Sequence, residues 1–222
     1  MTKVYDCLSH DFVYHDLSKM MIFPGNHDTD RIGDVVRQNP DRMKIVMTMM
    51  ATMRGFPQIF AGDEMMFVSK DKSQGHGGLR VDFPGGWNGD KENWFTEEGR
   101  KAALTGTDGK PVPAGQVAEL HDFTRKLFQW RKGKSVIHDG KTLHFLSRDN
   151  TYAYFRYNAD EAVFVFINNS RGRKSIPWSH YAEIAEGLHD GKNVLTGEAV
   201  EVNDSTVVGP RKALVVEYKR KK

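Results

Sequence analysis

Cysteine is almost missing from this chain: Cys7 stands alone among 222 residues, so no intrachain disulfide can form. Without a paired His motif, Cys7 is expected to be an inert buried thiol. Long apolar runs are missing too; the longest is far too short to span a bilayer. Charge of one sign is not in surplus. The net charge is +3, and basic residues interleave with acids everywhere except Lys219-Arg220-Lys221-Lys222. That cluster reads as a solvated tail, and the broad basic face that nucleic-acid binding needs is not there. No signal peptide is visible at the start. Instead Tyr5, Leu8, Phe12 and Tyr14 follow Met1 at once, an apolar pattern already under way, as expected of an excised piece. What is present suits a globular protein of one or two domains: apolar residues make up 39% and charged residues 27%, ample for a core.

The stretch around which the chain is organised is Met20-Met21-Ile22-Phe23-Pro24-Gly25-Asn26-His27-Asp28, continuing to Thr29-Asp30-Arg31. Its apolar start predicts a short buried strand. The chain then breaks at Pro24-Gly25 and presents Asn, His and Asp in a row. Polar groups just past the C-terminal end of a buried strand occupy the place where α/β folds carry their chemistry. A plain turn is the competing reading, since Pro, Gly, Asn and Asp all favour turns. A turn alone does not call for His and Asp together, which tips the balance to a site.

Upstream, His10, Asp11, His15 and Asp16 show no ligand spacing and read as surface polar groups. Thr29 to Gln38 reads as a loop. Asn39-Pro40-Asp41 then starts a helix, with an Asn cap, Pro at the first helical position and an acid in the first turn. Met43, Val46, Met47, Met50 and Met53 follow at helical spacing, and Gly55 is the stop. Such a Met stripe can form a plastic binding surface, but core packing is the stronger reading. Phe56 to Ala61 predicts a second strand, ending at Gly62-Asp63-Glu64; strand, helix, strand implies a parallel pair. The two acids serve either as helix-start charges or as functional groups.

Residues 68–116 read as a long Gly-rich excursion holding Arg80, Asp82, Phe83 and Trp87, residues able to grip and stack on a ligand. Val117, Leu120, Phe123, Leu127 and Trp130 mark a helix that ends at Gly133. From there short strands are predicted at 143–146, 152–157, 163–167, 194–195, 199–202, 207–208 and 213–218, with a helix over 178–186. That spacing suggests an antiparallel β-sandwich, and the domain boundary is placed near residue 133.

Taken together, these motifs resemble the C-terminal part of the α-amylase superfamily of glycoside hydrolases. Phe23-Pro24-Gly25-Asn26-His27-Asp28 is similar to the family's last conserved motif, at the end of the seventh barrel strand. Gly55-Phe56-Pro57-Gln58-Ile59-Phe60-Ala61-Gly62-Asp63-Glu64 is similar to its eighth-strand segment, with Phe60-Ala61 where Tyr-Tyr is common. The Asn26–Arg31 run and Asp82-Phe83-Pro84-Gly85-Gly86-Trp87 look closest to neopullulanase-like and cyclomaltodextrinase-like α-amylases of Bacteroides type. The resemblance implies an α/β plus all-β chain: the last two βα units of a (β/α)8 TIM barrel over 1–133, then a β-sandwich domain over 134–222.

The same resemblance implies a retaining α-glucan hydrolase acting on starch, maltooligosaccharide, pullulan or cyclodextrin. Asp28 and His27 become its transition-state-stabilising pair. Asn26, Arg31, Arg80, Asp82, Phe83 and Trp87 become substrate-binding candidates. The nucleophile and the acid would follow barrel strands that this chain does not contain, so the isolated chain is expected to be inactive. No metal ligand or cofactor is implied within these residues, although Ca²⁺ is compatible with the parent enzyme. An α-glucan is the implied partner, with neither nucleic acid nor a membrane span, and the parent would be periplasmic or extracellular. Self-association of the piece is expected through its strand edges and the apolar face of the Met43–Met53 helix. Two alternatives stand beside this reading. One is a non-catalytic glycan-binding or structural fragment. The other is a metallophosphoesterase, because Gly25-Asn26-His27-Asp28 also matches that class's metal motif, though its companion motifs are not in order.

Overall fold

A computed structural model describes residues 1–83, 85, 89–90, 93–103 and 111–221. In chain order, α1 (Thr2–Leu8) leads to β1 (Met21–Ile22), α2 (Ile32–Val35), α3 (Pro40–Thr52) and β2 (Phe56–Pro57). A 3-10 segment at Lys72–Leu79 and α4 (Glu97–Ala103) precede α5 (Ala114–Lys132) and α6 (Ser135–His138). Next come β3 (Lys141–His144), β4 (Thr151–Tyr157), β5 (Glu161–Asn168) and β6 (Lys174–Ser175). A helical turn at Trp178–Tyr181 and α7 (Ala182–Ala185) lead to β7 (Leu188–Asn193), β8 (Val207–Val208) and β9 (Lys212–Arg220). The chain forms two compact units: residues 1–21, 51–56 and 126–222 make one, and residues 22–50 and 57–125 the other. Residue 133 lies within the first.

In the second unit the capping chemistry of α3 is as its sequence predicts. The Asn39 side-chain oxygen accepts a hydrogen bond from the Arg42 amide at 3.0 Å, and Pro40 opens the helix. Met43 and Met47 are fully buried, with Ile32, Val36, Met66 and Leu120 around them. Each such burial stabilises by roughly 1.5–3 kcal/mol. The apolar face of this helix is therefore covered by the chain itself, which corrects the expectation that it lies open for self-association. A neighbouring cluster joins Met65, Phe67, Val68, Trp94, Ala103 and Val117.

The two barrel-type strands are shorter and more open than expected. Amide donations from Phe56 to Met20 (2.9 Å) and from Gln58 to Ile22 (2.8 Å) advance together along both segments, so the pair is parallel. Only Met21–Ile22 and Phe56–Pro57 qualify as strand. Met21 is 46% exposed, Phe23 41% and Phe56 50%, so the strand is not buried as predicted; among the described residues these two strands pair only with each other. Two further expectations change: the 29–38 loop contains α2, and the excursion contains the 72–79 segment and α4.

In the first unit, five antiparallel strands run in the order β3-β4-β5-β9-β7, and β6 pairs with β8 as a separate ribbon. Central strand β5 is buried from Ala162 to Asn168. On one face Phe155, Phe164, Val216 and Tyr218 pack with Ile176, Trp178, Tyr181 and Val208. On β4, Tyr154 exchanges a hydroxyl hydrogen bond with Thr52, and Arg156 donates to the Ile137 carbonyl at 2.8 Å. Arg131 donates to the carbonyls of Ala51 (2.9 Å) and Gly55 (2.7 Å).

Several predicted features of this unit are corrected. Val194-Leu195 is a turn, and the strand there is β7, whose polar sequence Leu-His-Asp-Gly-Lys-Asn carries no apolar alternation. The 199–202 strand shrinks to a single bridge between Ala199 and Lys192. Lys219 and Arg220 end β9 rather than begin a tail, and Lys219 pairs with Asp190 at 2.9 Å. Asp11 is no free surface group; both its oxygens bind the Arg54 guanidinium. Cys7 is exposed, because α1 buries only Leu8.

Candidate active site

The Asn-His-Asp turn lies in the second unit and is tied by its own side chains. The Asn26 amide donates to Thr29 Oγ1 at 2.9 Å, and Asn26 Oδ1 accepts from the Asp28 amide at 2.9 Å. This Asx-type bond uses Asn26 to shape the turn, leaving His27 and Asp28 facing outward. The Asp28 side chain is 54% exposed.

Three basic groups surround the Asp28 carboxylate. Arg80 Nη2 donates to Oδ1 at 2.9 Å, His76 Nδ1 lies 3.6 Å from the same oxygen, and His27 Nε2 lies 3.3 Å from Oδ2. Arg80 Nε also donates to the His27 carbonyl at 3.3 Å, so one guanidinium grips two consecutive residues of the turn. An ion pair this open to water adds little stability; its effect is to orient.

Arg31 is placed differently from the other candidates. Its side chain is 1% exposed, stacked 3.7 Å over the Phe60 ring. It donates to Asp63 Oδ1 (3.1 Å), the Ala61 carbonyl (2.7 Å) and the Leu79 carbonyl (2.9 Å). Leu79 immediately precedes Arg80, so the buried arginine fixes the backbone that carries the exposed one. Asp63 is its counter-charge, and burial pushes that carboxyl up to about 6 against the pull of Arg31, because its Oδ2 is buried without a hydrogen-bond partner. Burial in turn lowers Arg31 from its ordinary value. Glu64 Oε2 accepts from the Gly62 amide at 3.0 Å, a local turn role.

The remaining candidates sit apart from this cluster or outside the description. Asp82 and Phe83 are exposed; Phe83 packs toward Phe67, ring centroids 5.5 Å apart, and no hydrogen bond or ion pair among the described residues joins Asp82 to Asp28. Trp87 lies outside the described residues. The sequence reading missed His76, whose only signal is a lone imidazole set among Gly75, Gly77 and Gly78. No group of three or more His, Cys, Asp or Glu among the described residues is arranged to hold a metal ion. Chemically, the arrangement offers a fixed, half-exposed carboxylate flanked by N–H donors, suited to hydroxyl groups of a polar ligand.

Comparison with known proteins decides the kinship. The α-amylase catalytic-domain profile matches residues 4–175, and the cyclomaltodextrinase C-terminal-domain profile matches residues 142–217. The chain belongs to the α-amylase family. It is 25% identical over 159 residues to a maltogenic α-amylase from Bacillus acidopullulyticus, covering 70% of this chain and 22% of that protein. In structure it is similar to the α-amylase of Geobacillus thermoleovorans, solved with acarbose, at a TM-score of 0.65 and 18% identity over 99% of this chain and 43% of the other. It is also similar to AmyP, solved with maltotriose, at a TM-score of 0.69 and 14% identity over 100% of this chain and 45% of the other. The chain thus spans less than half the length of these relatives. Its fold is that of the α-amylase catalytic barrel's C-terminal portion followed by an antiparallel β domain.

Proposed function

We propose that this α-amylase-family chain supplies the sugar-orienting side of a retaining α-glucan hydrolase. The observation that carries the reading is Asp28, held half-exposed between Arg80, His76 and His27. In this role Asp28 accepts hydrogen bonds from two neighbouring hydroxyls of the distorted sugar, and His27 donates one to the same ring. Those bonds tighten as the ring approaches an oxocarbenium ion, so they favour the transition state over the bound substrate. Arg80 holds Asp28 in register, and Arg31 acts through the backbone rather than on the sugar. A retaining mechanism needs two further carboxyl groups about 5 Å apart, a nucleophile and an acid. They belong to the remainder of the parent enzyme, and the isolated chain is accordingly inactive. The relatives solved with acarbose and maltotriose support an α-glucan as substrate, and export to the periplasm or medium belongs to the same proposal.

Asp28→Asn in the complete enzyme tests the reading: kcat falls by ~10²-fold or more while KM changes little. Near-normal turnover would sink it. Family membership favours this chemistry over the metallophosphoesterase alternative. The glycan-binding alternative predicts saturable maltooligosaccharide binding that survives Asp28→Asn unchanged.

A further inference from the structure

A cleft of about 400 Å³ opens in the first unit, where the end of the β3–β4 hairpin meets β6 and the helical turn at 178–181. Its size lies within the range of small-molecule sites. Phe145 and Tyr181 supply an aromatic wall, with ring centroids 4.7 Å apart and nearly edge-to-face. Among the charged side chains around this wall, cations outnumber carboxylates. Arg148 Nη1 lies 3.5 Å from Nδ1 and 3.4 Å from Nε2 of His180, and no carboxylate pairs with Arg148 among the described residues. Lys174 and the Ser175 hydroxyl add further donors. Burial pushes the Tyr181 hydroxyl up to about 12, which keeps its proton in place at neutral pH. One carboxylate lines the cleft, Asp149, and it is turned to Lys174 at 3.4 Å with its side chain 82% exposed.

This inventory selects a ligand class. Here a guanidinium and an ammonium face one carboxylate, leaving one unit of positive charge beside an apolar wall. Guanidinium groups bind carboxylate and phosphate oxygens through paired charge-assisted bonds. We propose that this cleft binds a small organic anion, its carboxylate or phosphate group on the Arg148 guanidinium beside His180 and its apolar body against Phe145. The cleft shares no residue with the Asp28 cluster, and the proposal does not depend on the glycosidase reading.

The test titrates the full 222-residue chain by calorimetry with phenyl phosphate and with benzoate, alongside inorganic phosphate and maltotriose. Saturable binding of at least one aryl anion is expected, ~10-fold or more tighter than inorganic phosphate, and weakening as salt is raised. The tighter of the two aryl anions identifies the head group. Arg148→Gln should weaken it at least ~10-fold with unchanged circular dichroism and thermal unfolding. Asp149 has a left-handed backbone, φ 47°, which Asn tolerates. Asp149→Asn releases Lys174 and should tighten binding ~2- to 5-fold, by removing a competing carboxylate. The proposal is overturned if neither aryl anion saturates, if maltotriose binds more tightly than both, if Arg148→Gln binds as the parent does, or if Asp149→Asn weakens binding.

Discussion

Arg80 Nη2 and Asp28 Oδ1 meet at 2.9 Å across 52 positions of sequence, and the same guanidinium reaches the carbonyl of His27. The pair is half-exposed, so its strength lies in geometry. A forked cation holds a carboxylate and the adjacent backbone at once, which a point-charge ammonium cannot do.

Arg80→Lys in the complete enzyme is therefore expected to lower kcat/KM by ~10-fold while leaving the unfolding midpoint within about 1 °C, since exposed ion pairs contribute little to stability. Steady-state kinetics and thermal unfolding on the same preparation separate the two effects. A large drop in midpoint would mean that Arg80 supports the fold rather than the site.

Asp63 gives a pH signature. Its folded-state value of about 6 lies above the ordinary 3.8. Between those values the folded chain keeps a proton that the unfolded chain has released, so stability falls as pH rises from about 4 to about 6 and levels off above. Asp63→Asn should remove that slope, which is on the order of 2–3 kcal/mol across the window. Urea unfolding at several pH values measures it; an equal slope in the variant would show that another group titrates.

Gly55 is required twice over. Its φ is +82°, and a β-carbon there would stand 2.1 Å from the Met20 carbonyl oxygen. Gly55→Ala is expected to cost more than ~2 kcal/mol, from a left-handed backbone and a forced displacement of β1. Chemical denaturation gives the number, and a cost under about 0.5 kcal/mol would contradict the close approach.

Self-association now rests on fewer features than the sequence suggested. The Met face of α3 is covered, whereas Met21 and Phe56, on strands that pair only with each other among the described residues, and Phe23, just past β1, stay exposed. We expect the isolated chain to form dimers or larger species by light scattering, and Met21→Lys with Phe56→Lys to restore the monomer. An unsubstituted isolated chain that stays monomeric at high concentration rejects the idea.

How far the sequence was legible follows from where the information lay. Helix α3 could be read because its cap and its spacing are local: Asn39, Pro40 and the Met residues each act within a turn or two. Likewise β4, β5 and β9 announce themselves by apolar and aromatic runs. Strand β7 could not be read, because its polar residues join the sheet through backbone bonds to β9. Within the site, Asn26 to Asp28 stood out as a strand-end motif. His76 did not, because nothing in a Gly-rich segment shows which distant residue it will face. The burial of Arg31 was hidden for the same reason: Asp63, its counter-charge, sits 32 positions away.

That buried arginine has a consequence for anyone mapping this protein by substitution. Arg31 and Asp63 never meet solvent, let alone a sugar, yet the Leu79 carbonyl they secure is one peptide from Arg80. A scan scored by turnover would rank both beside His27 and Asp28. A scan scored by ligand contact would pass over them. Only the two read together would reveal that the proposed sugar-orienting site is upholstered from behind, by groups whose loss misaims a side chain they do not touch.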